Sequence, residues 1–277
     1  MTEVQPRQVS RVKSSEFAKL ISVDAVHVLA GVFNRESSRF PFHDKRARQA
    51  FNFALNRKEI VSQGLLGFAT PLAGLTPLSA SSALPHRLAP YPHDPEKALK
   101  LWTQAGKAKL PLRVAAEAKW LQVADLVKKQ LQAALGLTCQ LTIFELAEMP
   151  RVRRRLAEKK LPQVWDLLLI DQGAQAADSP PLEFHRAFVG KTGEFRAGPV
   201  VPQFEQIYDK LARQTSLPKQ ATFAYRLDRF VFEEALALFI CAPYSLYAVN
   251  KEVDFNPYRT TFELAECKVS DKHWSCR

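Results

Sequence analysis

The chain has 277 residues, of which 47% are hydrophobic and 24% charged, with a formal net charge of +11. That is an ordinary globular composition with enough chain for a sizeable core in one large or two ordinary domains. The longest apolar stretch, ALALFICAPYSLYAV at 235–249, is too short to cross a bilayer and is interrupted by Pro243. The basic balance favours acidic partners, whether nucleic acid, an anionic membrane surface or an acidic protein, without selecting one.

The first twenty residues are polar and carry no basic region followed by an apolar one, so no standard export signal is expected within them. AVHVLAGVFN at 25–34 reads as a strand. FPFHDKRARQAFNFALNRKEIV at 40–61 reads as a helix with Asp44 as N-cap. Ala47, Ala50, Phe51, Ala54 and Leu55 form its buried stripe. Lys45, Arg46, Arg48, Gln49, Asn52 and Lys58 fall largely outside it, on an expected wet face. No preceding helix and turn marks a DNA-reading element. A long Gly-, Pro- and Ser-rich loop follows at 64–85, of the kind that is usually functional or wraps a neighbour. HDPEKALKLWTQAG then predicts a helix between the Asp94 cap, with Pro95 at its first position, and the Gly106 stop.

LPLRVAA at 110–116 is a short predicted strand. A helix over 119–135 carries Trp120, Val123, Ala124, Val127, Leu131 and Ala134 on one face and ends at Gly136. LTCQLTIFE at 137–145 alternates as a strand does. The run RVRRRLAEKK at 151–160 puts Val152 and Leu156 inward, and its basic residues read as a solvated face rather than a nucleic-acid patch. VWDLLLID at 164–171 is a nearly continuous apolar strand. A loop, QGAQAADSPPLEF, leads to two amphipathic helices at 201–215 and 219–235, then to two strands around Pro243 and a polar, irregular tail. Glu233 and Glu234 are read as solvated. Strands separated by helices imply a sheet with crossover helices.

No catalytic or metal-binding motif is present, and with only 10 glycines there is little material for a phosphate cradle. The histidines are not paired at helical spacing and read as surface or capping residues. No enzyme activity, cofactor or metal is expected. Cys139 and Cys241 sit in apolar runs and read as buried thiols. Cys267 and Cys276 could close a short disulfide or remain thiols, with His273 between them only a weak hint of metal.

In order along the chain, these segments resemble the family 5 extracellular solute-binding proteins, the peptide-, dipeptide- and nickel-binding components of ABC transporters. The family signature runs Pro-Phe-x-Asp-x-Arg-x-Arg-Gln-Ala, then Ala-x-x-Arg-x-x-Ile. Pro41, Phe42, Asp44, Arg46, Arg48, Gln49, Ala50, Ala54, Arg57 and Ile60 fit it. ATPLAGLTPLS resembles the family's Thr-Pro loop, and YPHDPEKALKLWTQAG its Tyr-Asp-Pro-Glu-Lys-Ala helix. VWDLLLIDQGAQAADSPPLEF resembles its Tyr-Asp strand and Asp-x-x-Asp-Pro loop, and PYSLYAVNKEVDFNPY its closing strands.

The resemblance implies an α/β, periplasmic-binding-protein-like lobe of the type II, cluster C-like kind, with a mixed sheet flanked by helices. It covers the second half of a two-lobed clamshell, with the first lobe largely missing. The expected division is a leading segment at 1–20, a second lobe at 21–236, and returning strands with a tail at 237–277. The implied function is ligand capture between lobes and delivery to an ABC permease, the ligand being a peptide or other small solute. In peptide-binding relatives an aspartate beyond the Asp-containing strand holds the ligand's ammonium group by a charge-assisted hydrogen bond in a desolvated cleft. Counting forward from Asp166 puts Gln175 at that position. Counting back from Pro181 and Phe184 puts Ala177 there, beside Asp178. Asp178 is the candidate anchor, capping of the Ser-Pro-Pro turn being its other reading. Gln172 stands where many members carry Trp, implying a different ligand or none. A face left open by the missing lobe would favour self-association. Localisation is expected to be periplasmic or at the cell surface if a leader lies upstream, and otherwise cytoplasmic. The alternative function is a cytoplasmic ligand-sensing domain of a transcriptional regulator built on the same fold.

Overall fold

The structure is a computed structural model and describes residues 1–77, 88–108, 110–160, 164–174, 182–258 and 264–276, with backbone only at 265 and 276. In chain order its strands and α-helices are β1 (Thr2–Glu3), α1 (Val9–Lys13), β2 (Ala18–Val23), β3 (His27–Phe33), α2 (Lys45–Phe53), α3 (Arg57–Glu59), β4 (Ala69–Pro71), α4 (Pro95–Gln104), β5 (Leu112–Glu117), α5 (Leu121–Leu135), β6 (Cys139–Phe144), α6 (Met149–Ala157), β7 (Leu167–Gly173), α7 (Leu182–Phe188), α8 (Pro202–Ala212), α9 (Leu217–Glu233), β8 (Leu238–Pro243), β9 (Ser245–Asn250), β10 (Val253–Asp254) and β11 (Lys268–Val269).

A six-stranded mixed sheet in the order β4-β8-β3-β7-β5-β6 organises the molecule. β5 runs parallel to β6 and β7, whereas β3 is antiparallel to β7 and β8, and β4 to β8. β7 is apolar along its first four residues because it is central. Leu167, Leu168, Leu169 and Ile170 are all buried, as a strand covered on both faces requires. β6, at the sheet edge, alternates half-buried with exposed positions over its first four residues. The strand directions bring one set of ends to a single edge: the C-terminal ends of β5, β6, β7 and β8 and the N-terminal ends of β3 and β4.

That edge is also where the chain leaves the sheet. β2 enters β3 through residues 24–26, and β8 passes into β9 through Tyr244. β2 and β9 pair with each other and with β1 in a separate three-stranded sheet. Two neighbouring strands therefore pass side by side from one sheet to the other. The small sheet has its own apolar centre of Val4, Val9, Val12 and Leu246.

At the middle of β3, Gly31 lets β7 and β8 approach. A Cβ there would lie 2.9 Å from both Leu167 Cδ1 and Leu238 Cβ. Gly31→Ala is expected to cost about 1–3 kcal/mol by overpacking, read as a lower urea midpoint at unchanged slope.

The helix capped by Asp44, whose carboxylate accepts the Arg46 N–H at 2.8 Å, forms as expected but ends at Phe53, and Asn56 caps a separate short helix, α3, within the segment read as one helix. The expected wet face of α2 is corrected at two positions. Arg48 and Asn52 are buried, because the end of α9 and the start of β8 lie over them. Arg48 donates to the carbonyls of Phe42, His43, Glu234 and Ala235. Asn52 presents its amide to β8 as a neighbouring strand would, donating to Ala237 O at 3.0 Å and accepting from Phe239 N at 3.1 Å. Arg57, another signature residue, is buried beside it and donates to four carbonyls, those of Phe239, Asn52, Leu55 and Tyr91.

Other sequence readings also change. The polar opening holds α1, β1 and β2, and the irregular tail includes the β10–β11 pair. α7 lies partly in what read as loop. Glu234 is half-buried and pairs with Lys45 at 2.8 Å, whereas Glu233 is exposed and pairs with Arg229. His185, read as a surface or capping residue, is buried with its Nε2 2.8 Å from Asp228 Oδ1. The same carboxylate accepts the Leu75 N–H at 3.0 Å, so the α7–α9 pair holds the Thr-Pro loop just before Thr76.

Candidate functional site

The sheet edge next to the two-strand passage gathers five ionisable side chains from four places in the chain. β5 ends in Glu117, and Lys119 follows it. β7 contributes Asp171, α6 contributes Arg153, and β3 begins with His27. In open α/β sheets the carboxyl ends of strands, where the connections diverge, are the usual place for a ligand.

The two carboxyl groups lie at the bottom of the group, with Glu117 4% and Asp171 3% exposed. Asp171 is thoroughly satisfied. It accepts Lys119 Nζ at 3.0 Å, the Trp120 indole N–H at 3.1 Å and Arg153 at 3.1 Å, and His27 Nε2 lies 3.8 Å away. Glu117 is less well served. Lys119 Nζ is 3.5 Å and Arg153 3.7 Å from its Oε2, and this buried oxygen has no hydrogen-bond partner among the described residues.

The two acids respond oppositely. Burial raises the Glu117 pKa, and the Asp171 charge adds to the rise against the opposing pull of Lys119 and Arg153. For Asp171 burial acts the same way, but Lys119, His27, Arg153 and the Trp120 indole outweigh it and hold the carboxyl below its usual range. Burial lowers the His27 pKa, partly offset by Asp171, so its imidazole is neutral at neutral pH.

Lys119, Arg153 and His27 reach the surface, each with roughly a third of its side chain exposed. Among the described residues Arg153 engages one terminal nitrogen, donating to the carboxylate and the backbone carbonyl of Asp171. Its Nε and other terminal nitrogen make no hydrogen bond among the described residues, and the guanidinium lies 5.8 Å from the Phe195 ring centroid. The site therefore presents unused cationic donors outward and keeps its carboxylates covered. That arrangement suits an anionic group better than an ammonium.

Asp166, the acid of the Tyr-Asp-like strand, lies just before the other end of β7. It is buried against Arg39 at 3.3 Å and Arg113 at 2.8 Å, so its role is structural. Gln172 lies near the end of β7, half-buried, with its side-chain N–H donating to Gly173 O. Asp178 and Gln175 lie outside the described residues. The sequence reading missed Glu117, Lys119, Arg153, Asp171 and His27 as a group. Its available signal was an acid closing each of two apolar strands, LRVAAE and LLLID.

A sequence profile described as bacterial extracellular solute-binding proteins, family 5 Middle, matches residues 1–195. Over 66 residues, 24% of this chain, it is 39% identical to the glutathione-binding protein GsiB of Shigella flexneri serotype 5b and to GsiB of Escherichia coli K12. Those matches span only 13% and 12% of the relatives' own lengths. Among solved structures, the chain resembles the periplasmic binding protein DppA of Helicobacter pylori in complex with the peptide STSA, at TM-score 0.79 and 16% identity over 97% of this chain and 52% of that one. It also resembles an oligopeptide-binding protein, OppAIV, of Borrelia burgdorferi, at TM-score 0.80 and 18% identity over 96% and 53%. NikA of Staphylococcus aureus in complex with Ni(L-His)2 matches at TM-score 0.79 and 12% identity over 96% and 56%. The chain thus spans about half the length of the solved structures it matches, and at these identities they establish the fold alone. With the family profile covering most of its length, the chain belongs to the family 5 bacterial extracellular solute-binding proteins.

Proposed function

We propose that this chain forms one wall of the solute-binding cleft of an ABC-transporter binding protein, and that the cleft takes a small peptide-like solute with an anionic group against Lys119 and Arg153. The observation that carries this reading is the set of unused donors at the strand ends, beside the two strands that cross between sheets. Paired crossing strands suit a hinge, because a small dihedral change in two short segments would swing one sheet against the other. Gln172 borders the same edge. Asp178 and Gln175, which follow β7 in sequence, are assigned to the ammonium end of the solute. The glutathione-binding relatives and the peptide-bound neighbour support a solute of this class. They also favour a transport role, with a permease as partner, over the regulator alternative. No helix among the described residues is long and apolar enough to cross a membrane.

The Trp120 indole, hydrogen-bonded to Asp171, is a built-in reporter. Titrating 15N-labelled protein with reduced glutathione or tri-alanine should shift its indole resonance. Arg153→Gln and Lys119→Gln should each weaken that binding about 10-fold or more, the worth of one charge-assisted hydrogen bond. Equal affinity for tri-alanine and its C-terminal amide would overturn the assignment of the anionic group.

A further inference from the structure

The buried acid with the orphaned oxygen has no role in the reading above, since Lys119 and Arg153 could be held in place by Asp171 alone. We propose that Glu117 takes up a proton when an anionic solute group engages Lys119 and Arg153, so that capture is coupled to protonation of a carboxyl buried at the end of β5. This deepens the solute-binding reading and rests on it.

Glu117 faces Lys119 from its own strand end, Arg153 from α6 and Asp171 from β7. His27, on β3, faces Asp171 instead, with the Glu3 charge of β1 also acting on it. With both acids ionised, two cations balance two anions. A solute carboxylate would add a third negative charge to a poorly solvated group, and an uncompensated buried charge is costly. Giving one acid a proton from solvent relieves the excess.

Geometry selects which acid accepts it. Asp171 holds Lys119 at 3.0 Å, the Trp120 N–H at 3.1 Å and Arg153 at 3.1 Å, all of which favour its ionised form. Glu117 Oε2 has the same two cations only at 3.5 and 3.7 Å and no hydrogen bond. It is the carboxyl with less to lose. Once protonated it can donate to a neighbouring acceptor instead of repelling the Asp171 charge that already acts on it, and it releases its share of Lys119 and Arg153 to the solute. Burial raising its pKa points the same way.

The sign follows. Ionised Glu117 competes with the solute for the two cations and protonated Glu117 does not, so affinity should fall as pH rises. The slope approaches tenfold per pH unit where free Glu117 is ionised. Calorimetric titration of the 277-residue chain with reduced glutathione and with tri-alanine, from about pH 5.5 to about pH 7.5, tests this. Repeating it in buffers of different ionisation enthalpy counts the protons. Wild-type protein should take up a substantial fraction of one proton per solute bound near neutral pH. Glu117→Gln should take up none, lose the pH dependence and bind at pH 7.5 at least as tightly as wild type. His27→Asn should keep the dependence. On the wild-type chain, the Glu117 side-chain carboxyl 13C resonance should move in the direction of protonation when solute is added, a measurement that needs no variant to fold.

Binding without proton uptake, a pH dependence that survives Glu117→Gln, or one abolished by His27→Asn would overturn the coupling and leave the solute-binding reading standing. Failure of every solute to bind at every pH would overturn that reading and the coupling with it.

Discussion

Replacing Phe51 with alanine is expected to cost the fold about 3–5 kcal/mol. Phe51 is fully buried at the centre of an aromatic group drawn from four segments. Its ring lies 5.0 Å from Phe42, 5.8 Å from Phe33 and 5.6 Å from Trp102. All three contacts are close to perpendicular, the arrangement that sets a ring edge against a ring face. β3, the segment before α2, α2 itself and α4 each supply a ring. No one segment can move into the vacated space without disturbing its pairing elsewhere, so the site should collapse poorly. Urea denaturation followed by tryptophan fluorescence measures the loss, and a change below about 1 kcal/mol would contradict the packing described here.

Replacing Arg57 with methionine is expected to be comparably damaging for a different reason. The side chain is buried, and its guanidinium donates to Phe239 O at 2.7 Å, Asn52 O at 3.0 Å, Tyr91 O at 3.1 Å and Asn52 Oδ1 at 3.0 Å. Methionine keeps much of the volume but removes the donor from the three backbone carbonyls, whereas Asn52 Oδ1 keeps the Phe239 N–H. Each buried acceptor left without a donor costs about 1–3 kcal/mol, so a total of about 3–5 kcal/mol is expected after relaxation. Lysine should not rescue it, because one ammonium cannot span acceptors arranged for a planar fork. Burial lowers the Arg57 pKa to about 10, yet this leaves it charged throughout the neutral range. The loss should therefore be the same at pH 6 and pH 8. A methionine variant with wild-type stability would show that these carbonyls find other donors.

These two residues differ in how far the sequence discloses their purpose. Phe51 belongs to the apolar stripe that periodicity identifies. Arg57 and Arg48 look like residues for water or for an acidic partner, and helical spacing gives no sign that β8 and the end of α9 close over them. The same holds for His185, whose buried place against Asp228 depends on two helices far apart in sequence.

Local rules were sufficient for several elements. Asp44 and Asp94 cap the helices they were expected to cap, and Gly136, at φ 64°, ends α5 in the left-handed conformation that glycine tolerates. The apolar run of β7 follows from a central strand, and the order of these segments was enough to suggest the family. A cap, a stop and a stripe depend on neighbours within a few residues.

Strand order belongs to the tertiary structure alone. Glu117 and Asp171 are 54 residues apart in sequence, and only the parallel pairing of β5 with β7 sets their ends side by side. The crossover through α6 returns Arg153 to the same edge. By itself the sequence determined the elements and the family resemblance, because those rest on short-range periodicity and motif. Folding decided that two acids would be buried beneath cations reaching outward, because charge, burial and distance meet at one point only after the sheet has assembled.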